Sequence, residues 1–433
     1  MSIGILTILI IVVLILLIGY GTPISFATGF LSLLLFIGFM NISTLYQIAE
    51  VVAETGTNLF MITVPLFVLM AEILSFSGVG NDLFTAAHRW LSWLPGGLAI
   101  SSIGTCTGFA AVSGSSPATA ATVGMVAIPE MIKRGYNRKL AVGAIAAGGT
   151  LGILIPPSIA MIIFGIITEV SIGKLFIAGI VPGIFLAILL SAAIAIAVKV
   201  KPALAPPSDS VTWPERFSSL KKIWPFIVLS VSVIGSIYAG IATPTESAAI
   251  GVTLSIIIAL IYRRLTLKAL HDALRRSAAI SAMIIFLVIG GSVLAFVLSF
   301  LNVPQALTNM VISMEVSRWV IMVIINIVLL VMGCLMDPMG VMVITLPIFF
   351  PIITQLGFDP VWFGIVVTVN VEIGMITPPV GLNLFVLKGV VPDISLKEIY
   401  SGSIYFVLIL FFGLAVIMSF PALTTWLPGR MGF

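Results

Sequence analysis

Two proline pairs, Pro156-Pro157 and Pro378-Pro379, sit inside long apolar runs. A proline pair cannot continue a helical hydrogen-bond ladder, so the carbonyls just before it lose their partners. Gly152-Ile153-Leu154-Ile155 would then offer carbonyl oxygens to a cation. The half-helix beginning after Pro157, at Ser158, would point its positive end at an anion. The same chemistry is expected of Gly374 to Thr377 and of the half-helix after Pro379, which carries Val380 and Asn383. The other reading is a pair of kinked structural helices, which the repetition of the break disfavours. Hydroxyls cluster at Ser113-Gly114-Ser115-Ser116-Pro117, followed by Thr119 and Thr122. They could ligate a hard cation, or the serines could simply cap the helix that follows. At Met336-Asp337-Pro338-Met339-Gly340, Asp337 is an ionisable group at membrane depth, a functional candidate by default. Asp before Pro is also an ordinary helix cap, and both roles can hold at once.

The elements that position these residues follow from composition. Of 433 residues, 60% are apolar and 8% charged, against about a quarter charged in a soluble domain. There is too little polar surface to face water on all sides. A soluble enzyme, a nucleic-acid binder and a disordered scaffold are excluded, and the partner that must be present is the lipid bilayer. Runs long enough to form helices fall near 3–20, 24–40, 58–77, 96–112, 116–132, 139–168 and 173–198. After a polar linker, 199–222, come 223–241, 245–262, 279–301, 318–336, 338–355, 361–390 and 401–420. No strand-like alternation persists, so the expected fold is an all-α polytopic membrane protein.

The chain repeats itself. Pro129, Gly135, Gly152, Pro156 and Pro157 recur 222 residues later as Pro351, Gly357, Gly374, Pro378 and Pro379, and GTPISFAT aligns with ATPTESAA at an offset of 221. Two repeats are therefore expected, 1–198 and 223–433. Each has five simple spans plus a pair of short runs, 96–132 and 318–355, that reads as a re-entrant hairpin. An odd number of crossings inverts the second half relative to the first. The basic residues agree: with the linker cytoplasmic, all of the 20 lysines and arginines except Lys174, Arg318 and Arg430 fall inside, leaving both termini periplasmic. Inverted repeats with interrupted helices are a transporter signature.

Other polar residues have plainer expectations. Glu246 in TPTES should cap its helix. Asn370, Glu372 and Asn383 flank the second break, either toward a cavity or in interhelical hydrogen bonds. Glu72 should make an interhelical contact. His88 and His271 lie in loops, so VSGSS has no membrane-depth histidine to serve as a base. No GxxxxGK[ST] phosphate loop is present, so ATP hydrolysis is not expected of this chain. Cys106 and Cys334 read as small core residues, and no cofactor is expected beyond a coupling ion.

The stretch SGSSPATAATVGMVAIPEMIKRGYNRKLAVGAIAAGGTLGILIPPSIAMIIFG closely resembles the large membrane subunit of tripartite ATP-independent periplasmic (TRAP) transporters. SIGKLFIAGIVPG, PTESA, MDPMGVMVITLP and GMITPPVGLNLF carry the same resemblance, which covers nearly the whole chain in order. It implies the ion-transporter fold: scaffold helices at 1–77 and 223–262, and a transport domain holding the hairpins and broken helices at 96–168 and 318–390. It also implies Na⁺-coupled uptake of an organic acid by an elevator motion across a bacterial inner membrane. Two separate partners come with it, a small four-helix membrane subunit and a periplasmic substrate-binding protein. Carried over by motif, one sodium site would involve Ser113, Ser116, Gly152, Ile155 and Pro157, the other Asp337, Gly374, Thr377 and Val380. The carboxylate would meet Ser115, Pro156, Ser158, Pro378, Pro379 and Asn383. NVEIGMITPPVGLNLF looks more like the C4-dicarboxylate-type members than the sialic-acid type, and sugar acids stay open. The alternative is a self-sufficient Na⁺/dicarboxylate symporter of the same superfamily.

Overall fold

The structure, a computed structural model, describes residues 3–40, 45–207 and 211–431, so part of the expected linker, 208–210, lies outside the described residues. Among the described residues every regular element is a helix. The apolar runs are recovered, and from the hairpins onward the second half repeats the element order of the first. Helices α6 (Gly97–Ser113) and α7 (Ser116–Lys133) form one hairpin; α16 (Arg318–Leu335) and α17 (Pro338–Gln355) form the other. Shifting α7 by 222 residues reproduces the bounds of α17.

Each hairpin precedes a broken helix. α8 (Arg138–Leu154) ends four residues before α9 (Ile159–Thr168), and the two are bent by 42°. α18 (Pro360–Met375) and α19 (Leu382–Val390) are separated by 376–381, the same break to within one residue at each end. Both proline pairs are cis.

Where these helices sit explains why they can be broken. Every residue of α8 from Leu140 to Leu154 is buried, and every residue of α18 from Trp362 to Met375. By contrast α16 shows Val320, Val323, Ile324, Ile327 and Val331 on an open face. Backbone without helical partners is tolerated at membrane depth only where protein or a cavity surrounds it. The first break meets that condition with Pro156, Pro157 and Ser158 buried, whereas the second is more open, with Pro379 exposed.

Around this centre, α6, α7, α10 (Ile172–Val200) and α20 (Leu396–Ser419) pack on α8, while α16 and α17 pack on α18. A second group forms where α2 (Ile24–Phe39) and α4 (Thr63–Ser77) lean on α14 (Leu267–Phe300), with α13 (Pro244–Ile261) against α4. Thr63 and Thr245 join α4 to α13 through a 2.6 Å hydroxyl hydrogen bond. Seven helices are long and apolar enough to cross a membrane, or up to nine with each bent pair counted as one span, among the described residues.

Several elements were not expected. The amphipathic helices α3 (Tyr46–Thr57), α5 (Val79–Leu91) and α15 (Val303–Ser313), and the short helix α21 (Ala422–Arg430), have no long apolar run to announce them. The linker is also not a plain loop. It holds α11 (Trp213–Leu220), opened by a capping box in which the Glu215 carboxylate accepts from Thr212. Those hydrogen bonds hold the Glu215 carboxyl below its usual range. Arg89 and the Trp90 indole of α5 donate to the Glu215 and Arg216 carbonyls, both at 3.1 Å.

Candidate cation and substrate site

The two hairpin tips meet the two breaks in the same way. Ile159 donates its N–H to the Gly114 carbonyl at 3.5 Å, and Gly381, 222 residues later, donates to the Cys334 carbonyl at 3.2 Å. Each half-helix is thereby tied at its start to its own hairpin, the first at the tip residue Gly114 and the second at Cys334 in the last turn of α16.

At the first tip the hydroxyls are interlocked. Ser113 and Thr119 share a 2.7 Å hydrogen bond, and Thr119 donates to the Ser115 carbonyl at 2.9 Å. Gly152 presses on this group: a Cβ there would stand 2.7 Å from the Ser115 carbonyl oxygen and 2.8 Å from Thr119 Oγ1. Only glycine allows that approach. Of the five residues expected at one sodium site, Ser113 and Gly152 thus meet through Thr119 and the Ser115 carbonyl, while Ser116 follows Ser115 in the chain and accepts its hydrogen bond from Asn383. Ile155 and Pro157 belong to the adjoining break, where the Pro157 carbonyl faces Gly114. Ser115 caps α7 and Ser158 caps α9, so the capping role applies to both.

At the second tip, Asp337 caps α17, its Oδ2 accepting from the Met339 and Gly340 amides at 3.2 and 3.4 Å. Gly374 lies against the backbone of Gly333 and Cys334. Thr377 spends its hydroxyl hydrogen on the Ile373 carbonyl at 2.6 Å, leaving its oxygen lone pairs free. Thr377 and Val380 both fall within the break itself. Among the described residues no three His, Cys, Asp or Glu side chains converge, so a cation here would rest chiefly on carbonyl and hydroxyl oxygens.

Between the tips and the α2–α4–α14 group lies a cavity of about 560 Å³. Ser113, Ser115, Ser116 and Asp337 line it from the hairpins. Of the substrate candidates Ser115 lines it; Pro156, Ser158, Pro378, Pro379 and Asn383 are not among its lining residues. Asn383 is fully buried and donates to Ser116 Oγ at 2.7 Å, while Asn370 donates to Asn326 Oδ1 at 2.7 Å. Both make the interhelical bonds that were one of their two expected roles. Glu246 closes a capping box with Thr243, as expected. Pro379 offers its carbonyl to Tyr400 at 2.9 Å.

The opposite wall was not foreseen. It includes Pro23, Ile24 and Ser25 of the GTPISFAT motif, with Glu72 of α4 and Met283 and Leu287 of α14. The repetition of that motif was visible in sequence; that one copy faces the site and the other does not was not. None of the lining residues is a lysine or an arginine, and two, Glu72 and Asp337, are carboxylic.

Comparison with known proteins adds a family. The family described as "Tripartite ATP-independent periplasmic transporter, DctM component" matches residues 11–423. The C4-dicarboxylate TRAP transporter large permease protein DctM of Pseudomonas aeruginosa is 38% identical over 94% of this chain and 93% of its own length. The isethionate TRAP transporter permease protein DctMQ of Oleidesulfovibrio alaskensis is 34% identical over 86% of this chain, which spans 58% of that longer protein. Among solved structures, the Alcanivorax borkumensis YdaH transporter superposes with a TM-score of 0.60 over 89% of each chain; at 14% identity this shows a shared fold alone.

Proposed function

The chain belongs to the DctM component family of tripartite ATP-independent periplasmic transporters, and from that premise we propose that it is the permease of a sodium-driven organic-acid importer. As a large permease subunit it is a multi-pass membrane transport component and not an enzyme. The family works with a small membrane subunit and a periplasmic binding protein, and this chain is read as needing both.

One observation carries the coupling. A carboxylate entering the cavity meets two carboxyl side chains and no basic one. Taking an anion out of water next to like charges is costly unless cations accompany it. The carbonyl and hydroxyl oxygens at the two breaks suit a hard cation such as Na⁺. Two sodium sites are assigned: Ser113, Ser116, Gly152, Ile155 and Pro157 at the first break, Asp337, Gly374, Thr377 and Val380 at the second. The substrate carboxylate is read as meeting Ser115 and the half-helix starts at Ser158 and after Pro379, with Na⁺ supplying the countercharge.

In this reading the hairpins and broken helices move as one body past the helices at 1–77 and 223–262, carrying the substrate from periplasm to cytoplasm. The termini are periplasmic, and the membrane is the bacterial inner membrane. A C4-dicarboxylate is the first substrate to try, given the relative from Pseudomonas aeruginosa. The test is uptake into vesicles under an imposed sodium gradient, with and without ATP. Sodium-driven accumulation without ATP is expected; accumulation driven by ATP in the absence of sodium would overturn the reading. Uptake undiminished when no binding protein is supplied would favour a self-sufficient symporter.

A further inference from the structure

The halves repeat in backbone but not in their polar side chains. Asn383 reaches from α19 across the repeat boundary and donates to Ser116 Oγ at 2.7 Å, with both residues fully buried. Glu372 of α18, 1% exposed, lies with its carboxyl in hydrogen-bonding contact with the backbone of Ile153, next to Gly152 in α8. One second-half side chain therefore touches the first hairpin at Ser116 and the other the end of α8 just before the first break. At the equivalent first-half positions stand Met161 and Thr150. The Met161 side chain carries no N–H or O–H, and Thr150 donates to Ala147 of its own helix at 2.6 Å. No return brace is made from those positions. Burying an amide and a carboxyl at membrane depth is expensive, and here each leaves an oxygen unpartnered: Asn383 Oδ1 and Glu372 Oε1.

We propose that Asn383 and Glu372 are positioning residues by which the second half of the molecule holds the first cation site in shape. A serine hydroxyl has one hydrogen and two lone pairs. With the Asn383 amide donating to one lone pair, Ser116 presents the other in a fixed direction, ready for a cation. The contact at Ile153 pins the helix end from which the Gly152 carbonyl projects. The first site then depends on α18 and α19, the helices that flank the second break, and occupancy at one site alters affinity at the other by the same factor in both directions.

The inference rests on the sodium reading above, so its test separates the two. The probe is Na⁺ alone, against K⁺, read as the shift in thermal unfolding midpoint of the whole transporter in membrane extracts. It is paired with the sodium dependence of labelled C4-dicarboxylate uptake. Asn383→Leu should raise the half-saturating Na⁺ about tenfold, the worth of a buried hydrogen bond, and lower the apparent Hill coefficient. Uptake at saturating Na⁺ should recover most of its maximal rate, which a general loss of packing would not allow. Ser116→Ala should have a similar effect, and the double variant should be no worse than Ser116→Ala alone. Glu372→Gln, which keeps an acceptor for Ile153, should stay near the unsubstituted protein, and Glu372→Leu should not. If Asn383→Leu fails to reach the membrane, Asn383→Ser serves in its place. Sodium affinity unchanged in these variants, or strictly additive effects of Asn383→Leu and Ser116→Ala, would overturn the inference while leaving sodium coupling intact. A protein that shows no sodium dependence before substitution would remove both.

Discussion

Gly333 of α16 and Gly374 of α18 face each other with no room between them: a methyl on Gly374 would stand 2.5 Å from the Gly333 carbonyl carbon. The hairpin and the helix it precedes are therefore in backbone contact beside the second break. Gly374→Ala should lower the unfolding midpoint by several degrees, reflecting about 1–3 kcal/mol of overpacking. Gly29→Ala, where a Cβ meets nothing within 4 Å, should leave the midpoint unchanged or raise it. Equal midpoints for the two would show that α16 and α18 have slack at this point.

The proposed sodium sites hold few hydroxyl ligands, so losing one should matter. Ser116→Ala and Thr377→Ala should each raise the sodium concentration for half-maximal uptake by about tenfold, without loss of folded protein. Thr377→Ser keeps the oxygen that donates to Ile373 and should behave like the unsubstituted chain. An unchanged sodium dependence in both alanine variants means the assigned ligands are wrong.

The cavity can be filled from its far wall. Met283 lines it from α14 and is largely exposed. Met283→Trp should abolish dicarboxylate uptake, while stabilisation by Na⁺, read as a melting shift, persists. Normal uptake by this variant would place the substrate elsewhere.

Opposite orientation of the two halves is checked by single cysteines in a background lacking Cys106 and Cys334. Asn137 and Asp359 cap α8 and α18, so replacing them would cost about 1 kcal/mol. Lys133 and Gln355, exposed at the ends of the second hairpin helices, are the better positions. Lys133→Cys should react with an impermeant thiol reagent from the cytoplasm and Gln355→Cys from the periplasm. Labelling of both from one side would refute the inversion.

How far the sequence could be read depended on the length of each apolar run. The hairpins and breaks were legible because Pro156-Pro157 and Pro378-Pro379 interrupt strong helical runs at equal spacing. Helix α5 was not, because VGNDLFTAAHRWL is amphipathic and only burial of Val79, Leu83 and Phe84 makes it an element. Helix α14 was placed from 279 but begins at Leu267, since LKALHDALRRSA is helical without being apolar. In the site, residue types left Asn383 open between a cavity-facing role toward substrate and an interhelical bond, and only the fold could show that it donates to Ser116. Glu72 looked like a packing residue in sequence, whereas it borders the cavity, because which face of α4 meets open space is decided by α14 and the hairpins.

Helix α14 has 34 residues. At about 1.5 Å each that is roughly 50 Å of continuous rod, well beyond the ~30 Å of hydrocarbon it must cross. Its surplus turns carry Lys268, Arg275 and Arg276, and the Arg276 guanidinium lies 5.4 Å from the ring of Phe76 on α4. A rod clamped along α2 and α4 cannot shorten to suit a thinner membrane. It acts as a mast of fixed height, and lipid, not protein, must adjust around it.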